Sequence, residues 1–120
     1  MPQTPASPAD STEKSGKLRR IEQQKKIVSE VVSAVSAVTG VSTLAILSHR
    51  RPADYAYARM LVYYFAVEKF CVSLPLVGKC LDRDHTTVLY GYRKIADSKC
   101  RDVRQDVEII DAALDRLGLA

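Results

Sequence analysis

The residue types best suited to recognition by hydrogen bonds occupy five consecutive positions: Arg83, Asp84, His85, Thr86 and Thr87. A carboxylate can accept a hydrogen bond from the amino group of cytosine, and threonine offers a hydroxyl for phosphates and a methyl group for thymine. A histidine ring can donate a hydrogen bond or lie against a thymine methyl group. The cluster therefore predicts contact with the edges of DNA bases.

A helix has to present these side chains, and the residues that follow them predict one. Apolar residues recur there at helical spacing, at Val88, Leu89, Tyr92 and Ile95. We therefore expect Asp84 to be the N-cap of an amphipathic helix. Residues 73–81 form a shorter apolar segment, with Ser73 as its expected cap and Pro75 in its first turn. Two short helices joined by a tight polar turn indicate a helix-turn-helix, whose second helix enters the DNA major groove.

The second helix also resembles a known signature. Residues 83–89, which read RDHTTVL, are followed by Arg93, Lys94 and Ile95. They look like the signature of the C-terminal DNA-binding domain (domain IV) of the bacterial replication initiator DnaA. At lower density the resemblance continues through residues 48–51, Arg59 and 73–75, so that it covers roughly residues 27–117. It implies an all-α fold, a compact bundle of about six helices containing a helix-turn-helix of the DnaA domain IV and Trp-repressor type.

The resemblance implies a division of roles within the helix-turn-helix. Asp84, His85 and Thr86 would contact base edges, and Thr87 would lie near them. The DNA backbone would be contacted by Arg83, Leu74 and Pro75. The last two stand at a helix N-terminus, where free backbone N–H groups attract a phosphate.

A second basic segment precedes Pro52 in a predicted helix–helix connection. Here Arg50 and Arg51 form a basic loop, and a loop arginine can enter an A·T-rich minor groove. The alternative is an ordinary solvated loop charge. Gapless alignment back from residues 73–75 favours the first interpretation, because it places Arg51 on the arginine with which the family probes the minor groove. Arg59 falls on a basic position of the family's next helix.

Three departures from the family pattern bear on DNA affinity. Leu81 and Asp82 stand where the family usually has Gly-Gly, and the turn is one residue shorter. Aspartate tolerates the left-handed conformation that such a turn needs, but it adds a negative charge close to phosphates. Tyr90 and Gly91 replace the usual His-Ala, and a glycine inside a helix costs about 1 kcal/mol relative to alanine.

Charge and cysteine content narrow the classes of protein. The formal charge is +4, and residues 50–101 hold ten Lys or Arg against five Asp or Glu, whereas residues 102–116 hold five acids against two bases. The middle of the chain is therefore the expected nucleic-acid face. Three cysteines without CxxC spacing predict reduced thiols. We expect no metal site and no cofactor, and no enzyme, because His85 has no neighbouring nucleophile.

The rest of the chain predicts a tail and a single domain. Residues 1–17 are rich in Pro and Ser and are expected to be a disordered tail, and residues 18–120 the helix-turn-helix domain. Helices are predicted over residues 19–38, 41–48, 52 or 53 to about 70, and 102–117. A chain of 120 residues leaves no room for a nucleotide-binding domain beside this one. No apolar run reaches the roughly 18 residues of a membrane span, so we expect a cytoplasmic, nucleoid-associated protein.

Two functions from different classes fit these observations. The first is sequence-specific binding of double-stranded DNA at DnaA-box-like sites, which would modulate replication initiation or transcription. The second is regulation through protein contact, in which the chain acts on the replication initiator or on the ATPases that regulate it and has weakened DNA binding. The base-reading residues Asp84, His85 and Thr86 favour the first function, and the acidic, shortened turn at Asp82 leaves the second open.

Overall fold

The structure is a computed structural model that describes the backbone of residues 8–118 and the side chains of residues 16–118. Six α-helices and no strand occur in this part of the chain. In chain order they are α1 (Pro8–Thr39), α2 (Thr43–Leu47), α3 (Ala53–Glu68), α4 (Leu74–Leu81), α5 (His85–Ala96) and α6 (Arg101–Arg116). The prediction of an all-α fold of about six helices is confirmed.

The helix α1 differs from the prediction at its start. It begins at Pro8 rather than at residue 19, so it includes part of the segment expected to be a tail. Residues 1–7 of that segment lie outside the described residues, and the division into a tail and a domain stays a prediction. The end of α1 agrees with the sequence, because Gly40 adopts φ +80° and its N–H donates to the carbonyl of Ser36 at 2.9 Å.

The helix α3 occupies the centre of the core. It packs against α1 on one side and against α5 on the other. Its fully buried apolar residues recur three and four positions apart, as expected of a helix covered on more than one side. They are Ala58, Leu61, Val62, Phe65 and Ala66. Because α5 lies directly on this central helix, the position of α5 is fixed by packing.

The end of α3 falls two residues earlier than the sequence predicts. Cys71 adopts a left-handed backbone conformation with φ 56°, and the N–H of Val72 donates to the carbonyl of Ala66 at 2.9 Å. This hydrogen bond returns the chain over the last turn of α3, with Cys71 at the left-handed position where glycine is usual after a helix. The chain has cysteine there, so no glycine marks this helix end.

The closing helix α6 completes the core from the other side of α1. Ile110 and Leu114 are fully buried, whereas Leu117, just after the helix, is 50% exposed. At its edge the ammonium group of Lys69 donates to Asp111 and Asp115, each at 2.7 Å. These carboxylates raise the pKa of Lys69, so the pair stays charged at neutral pH. The acidity of α6 therefore serves in part to hold the end of α3.

Candidate nucleic-acid interface

The turn between α4 and α5 is held by its own backbone. Asp82 ends α4 in the left-handed conformation with φ 54°, as the sequence suggested it could. The N–H of Arg83 donates to the carbonyl of Gly78 at 2.7 Å, which gives this helix end the pattern of a Schellman motif. A Cβ atom at Gly78 would lie 2.5 Å from the backbone oxygen of Arg83. Gly78 is therefore required for the close return of the chain.

Asp84 stands at the N-cap position of α5, as predicted, but its side chain does not cap the helix backbone. Its carboxylate accepts a short hydrogen bond from the hydroxyl of Thr86 and lies 3.4 Å from Nδ1 of His85. The hydrogen bond from Thr86 is the main reason that the pKa of Asp84 lies below its ordinary value. The group is therefore a carboxylate at neutral pH, and it can only accept hydrogen bonds.

The predicted base-reading residues share one exposed surface at the start of α5. His85, Thr86 and Thr87 are exposed, whereas the opposite face of the helix carries Val88 and Ile95 into the core. This arrangement leaves three adjacent polar side chains exposed to solvent. The spacing of apolar and polar residues along this helix predicts that its first polar side chains are exposed.

The exposed surface extends one helical turn further than the sequence suggested. Tyr90 is 63% exposed, and Nζ of Lys94 lies 5.4 Å from the centre of its ring. Next to it, Gly91 is buried, and a Cβ atom there would lie 2.6 Å from the ring of Tyr63 in α3. The glycine, expected only to weaken the helix, therefore lets α5 approach α3 closely.

The N-terminus of α4 lies beside this surface. Ser73 caps it as predicted, with its hydroxyl accepting from the N–H of Leu76 at 3.4 Å. Pro75 is exposed and Leu74 is half-buried. A shallow hollow of about 410 Å³ joins Pro75 to Asp84 and His85. The predicted backbone contacts and base contacts thus border one concave surface.

Arg83 connects the turn to the loop between α2 and α3. One of its terminal nitrogens, Nη2, donates to the carbonyl of Ser48 at 2.6 Å. The other, Nη1, donates to the carbonyls of Leu81 and Asp82 and lies 3.2 Å from Nδ1 of His49. Its predicted phosphate contact remains a prediction, whereas the structure gives it a second role that the sequence pattern did not reveal.

His49 closes the same connection from the loop. Its Nε2 lies 3.0 Å from the carboxylate of Asp82. The negative charge that replaces the family's glycine therefore faces a histidine of this chain. Because Nδ1 of His49 is directed at Arg83, the imidazole ring lies between the carboxylate of Asp82 and the guanidinium of Arg83.

Arg50 and Arg51 are exposed on the loop that His49 and Arg83 hold against the turn. Within the part of the chain that the structure describes, neither guanidinium group makes a hydrogen bond or an ion pair. The structure therefore places the loop that carries both arginines next to the turn before α5.

Arg59 is placed differently from the other predicted contacts. It is 6% exposed, its Nε donates to the carbonyl of Ile46 at 2.8 Å, and its Nη2 donates to the carbonyls of Ala45 and Ser48. Burial, followed by the positive charge of Arg83, lowers the pKa of Arg59. The family resemblance predicts Arg59 as a DNA contact, and that contact stays a prediction. In the structure its guanidinium donates to carbonyls at and just after the end of α2.

Other kinds of site find no support in residues 16–118. No group of three or more His, Cys, Asp or Glu side chains there is arranged to hold a metal ion. Cys71, Cys80 and Cys100 are free thiols. Among the described helices, none combines the length and the apolar character that crossing a membrane requires.

The geometry defines a class of protein: a helix-turn-helix formed by α4 and α5, with the polar N-terminal surface of its second helix exposed beside a basic loop. The family model described as bacterial dnaA protein helix-turn-helix matches residues 28–95. The chain therefore belongs to this family.

Individual relatives agree with the family match. The chromosomal replication initiator proteins DnaA of Ralstonia nicotianae and Burkholderia multivorans are both 43% identical to this chain over 63 residues. The aligned part is 52% of this chain and 12% of each relative. A solved structure titled as that of a DNA replication initiation factor is similar with a TM-score of 0.75 and 25% identity, over 85% of this chain and 32% of that one. The chain thus spans only about 12% of the length of these curated relatives.

Proposed function

We propose that the chain binds double-stranded DNA in a sequence-specific manner at DnaA-box-like sites, and so modulates replication initiation or transcription. The observation that carries this proposal is the exposed polar surface of Asp84, His85, Thr86 and Thr87 at the start of a helix packed firmly on α3. Membership of the DnaA helix-turn-helix family supports the choice of target. The proposal includes association with the nucleoid and involves no catalytic step and no cofactor.

Each exposed group suits one part of such a complex. The carboxylate of Asp84 can accept from a cytosine amino group, and the methyl group of Thr86 can contact thymine. Arg51 would enter the minor groove beside the box, next to Arg50. Leu74 and Pro75, at the N-terminus of α4, would meet the phosphates that flank it. Arg59 would act indirectly, by fixing the loop that carries the two arginines.

The base-reading residues give the direct test. Replacing Asp84 or His85 by alanine is expected to weaken binding to a DnaA-box duplex by about 1 to 3 kcal/mol, because each removes a contact with one or two base pairs. The measurement is fluorescence anisotropy with the box and with a shuffled duplex of the same composition. Asp97→Ala, at the opposite end of α5, is the matched control and should change neither affinity. Equal losses on both duplexes would contradict base reading.

The loop arginine gives a second, independent test. Arg51→Ala should weaken binding most when an A·T-rich segment adjoins the box, because a narrow minor groove attracts arginine most strongly. Titrations with A·T-rich and G·C-rich flanks would measure this difference, with Arg20→Ala as a control that removes an exposed arginine from α1. If both flanks gave the same ratio of mutant to wild-type affinity, Arg51 would be only a solvated loop charge.

The alternative function, protein contact with the replication initiator or with its regulatory ATPases, is favoured by a different observation. Leu44 is 81% exposed and Leu47 is 45% exposed on α2, a helix that packs on α1 and α3. Two large apolar side chains exposed one helical turn apart offer a surface that a partner protein could cover. The two functions are compatible, because these residues are separate from the surface at the start of α5.

A further inference from the structure

A groove lies between α1, α2 and α4, with a volume of about 630 Å³. Val28 and Val32 of α1 are buried at its floor, Leu47 of α2 forms one wall, and Cys80 of α4 forms another. Burial raises the pKa of the Cys80 thiol, so this wall is a neutral, apolar surface at pH 7. The groove is large enough for several apolar side chains and is enclosed by helices on three sides.

The apolar surface continues beyond the groove in two directions. Along α1, Leu18 and Ile21 are 59% and 37% exposed, and they lie on the helical stripe that leads to Val28 and Val32. Along α2, Leu44 stands beside the wall residue Leu47. Of these exposed apolar side chains, Leu47 lines the groove itself, and the others lie further along the two helices that form it. An extended patch of this kind marks a contact surface in a soluble protein.

The rim of the groove is basic. Lys25 of α1 and Lys79 of α4 line it from opposite sides, and both are exposed. On α1, Lys17 and Lys26 add positive charge near the exposed stripe, against the single acid Glu22 between them. An apolar floor with a basic rim fits an occupant that has apolar side chains in its middle and carboxylates along its edges.

These charges discriminate among occupants. The α1 helix of a second copy would bring its own lysines against Lys25 and Lys79. The acidic helix α6 of a second copy has Ile110 and Leu114 buried in its own core. Its exposed apolar residues, Ile109 and Leu117, lie eight positions apart and do not form a stripe. A membrane is flat, whereas the volume between the three helices is concave. An amphipathic acidic helix satisfies shape and charge together, in the way that helices bind in apolar grooves.

We propose that the groove between α1, α2 and α4 is the docking site for an acidic amphipathic helix of a partner protein. Leucine-like side chains three and four positions apart enter beside Leu47, and carboxylates on the flanks pair with Lys25 and Lys79. The proposal is independent of DNA binding, because the groove shares only Lys79 with the hollow beside Asp84 and His85.

A selection experiment tests the proposal without a known partner. A phage library of helical peptides is selected on the full chain, with counter-selection on Ser33→Trp, whose indole fills the groove from an exposed lining position. Gln23→Trp, exposed on another face of α1, is the matched control. The enriched peptides should carry leucines at positions i, i+3 or i+4, and i+7, flanked by acids. The enriched peptides should bind Gln23→Trp with the affinity that they have for the wild type. Their affinity for Ser33→Trp should be lower by on the order of tenfold.

Charge reversal provides the second measurement. The double variant Lys25→Glu with Lys79→Glu should no longer bind the selected acidic peptide. It should bind a version of that peptide in which the acidic residues are changed to lysine. Circular dichroism verifies that each variant is folded. The proposal is overturned if no peptide is enriched over Ser33→Trp, if the enriched peptides are basic or uncharged, or if charge reversal rescues nothing. It is also overturned if only anionic lipid vesicles distinguish the wild type from Ser33→Trp.

Discussion

Replacing Arg59 by methionine is expected to lower the free energy of unfolding by about 3 kcal/mol, because it leaves carbonyls at the end of α2 without their charged donor. The carbonyl of Ile46 loses its side-chain partner outright. Lysine should not restore stability, since a single ammonium cannot reproduce the planar fork that reaches both Ile46 and Ser48. Urea denaturation of the DNA-free protein measures the change. Arg50→Met, an exposed loop substitution, should remain within about 0.5 kcal/mol of the wild type.

The same variants decide between the two roles of Arg59. A phosphate contact contributes about −0.9 to the slope of log affinity against log salt, and a positioning residue contributes nothing to it directly. We expect Arg59→Lys to lose stability and to keep the wild-type slope. An unchanged free energy of unfolding together with a shallower slope for Arg59→Met would instead assign Arg59 to the DNA backbone.

Gly78→Ala is expected to destabilise the domain by about 2 to 3 kcal/mol, since its Cβ would lie 2.5 Å from the backbone oxygen of Arg83 and the backbone must move to relieve the clash. The melting temperature should fall by roughly 10 °C. DNA binding should weaken further still, because the displaced turn carries Asp84. Gly16→Ala in α1 is the control: no atom lies within 4 Å of its added Cβ, and alanine favours the helix. Equal melting temperatures for the two variants would show that the turn tolerates a side chain.

The helix-turn-helix was predictable because its signals are local. Ser73 and Pro75 define the start of α4, Asp84 stands before α5, and the spacing of Val88 and Ile95 determines which side of α5 is buried. Each of these effects acts within a turn or two of helix. The sequence therefore sufficed to identify the helix that carries the candidate site and the side chains it exposes.

Features that depend on contacts between distant elements were not predictable in this way. The partners of Arg59 are carbonyls of α2, and no local pattern distinguishes a buried arginine from an exposed one. Gly91 is explained only by Tyr63, which lies a whole helix earlier in the chain. The role of Gly78 could have been predicted from the sequence. Asp82 suits the left-handed conformation, and in a Schellman motif the chain folds back onto the residue four positions before the left-handed one, which here is Gly78.

If the domain binds DNA as proposed, the contacts of Arg83 and His49 have a consequence for the length of the site. They join the loop bearing Arg51 to the turn before α5, and so oppose a change in the distance between the two surfaces. One added base pair between the minor-groove and major-groove segments would shift one of them by about 3.4 Å and rotate it by about 35° around the duplex axis. A rigid pair of contacts cannot follow that movement. The domain would then select the spacing between the two segments as well as their base sequences. At a site with the correct bases but the wrong spacing, only Arg51 or only α5 would make its contacts.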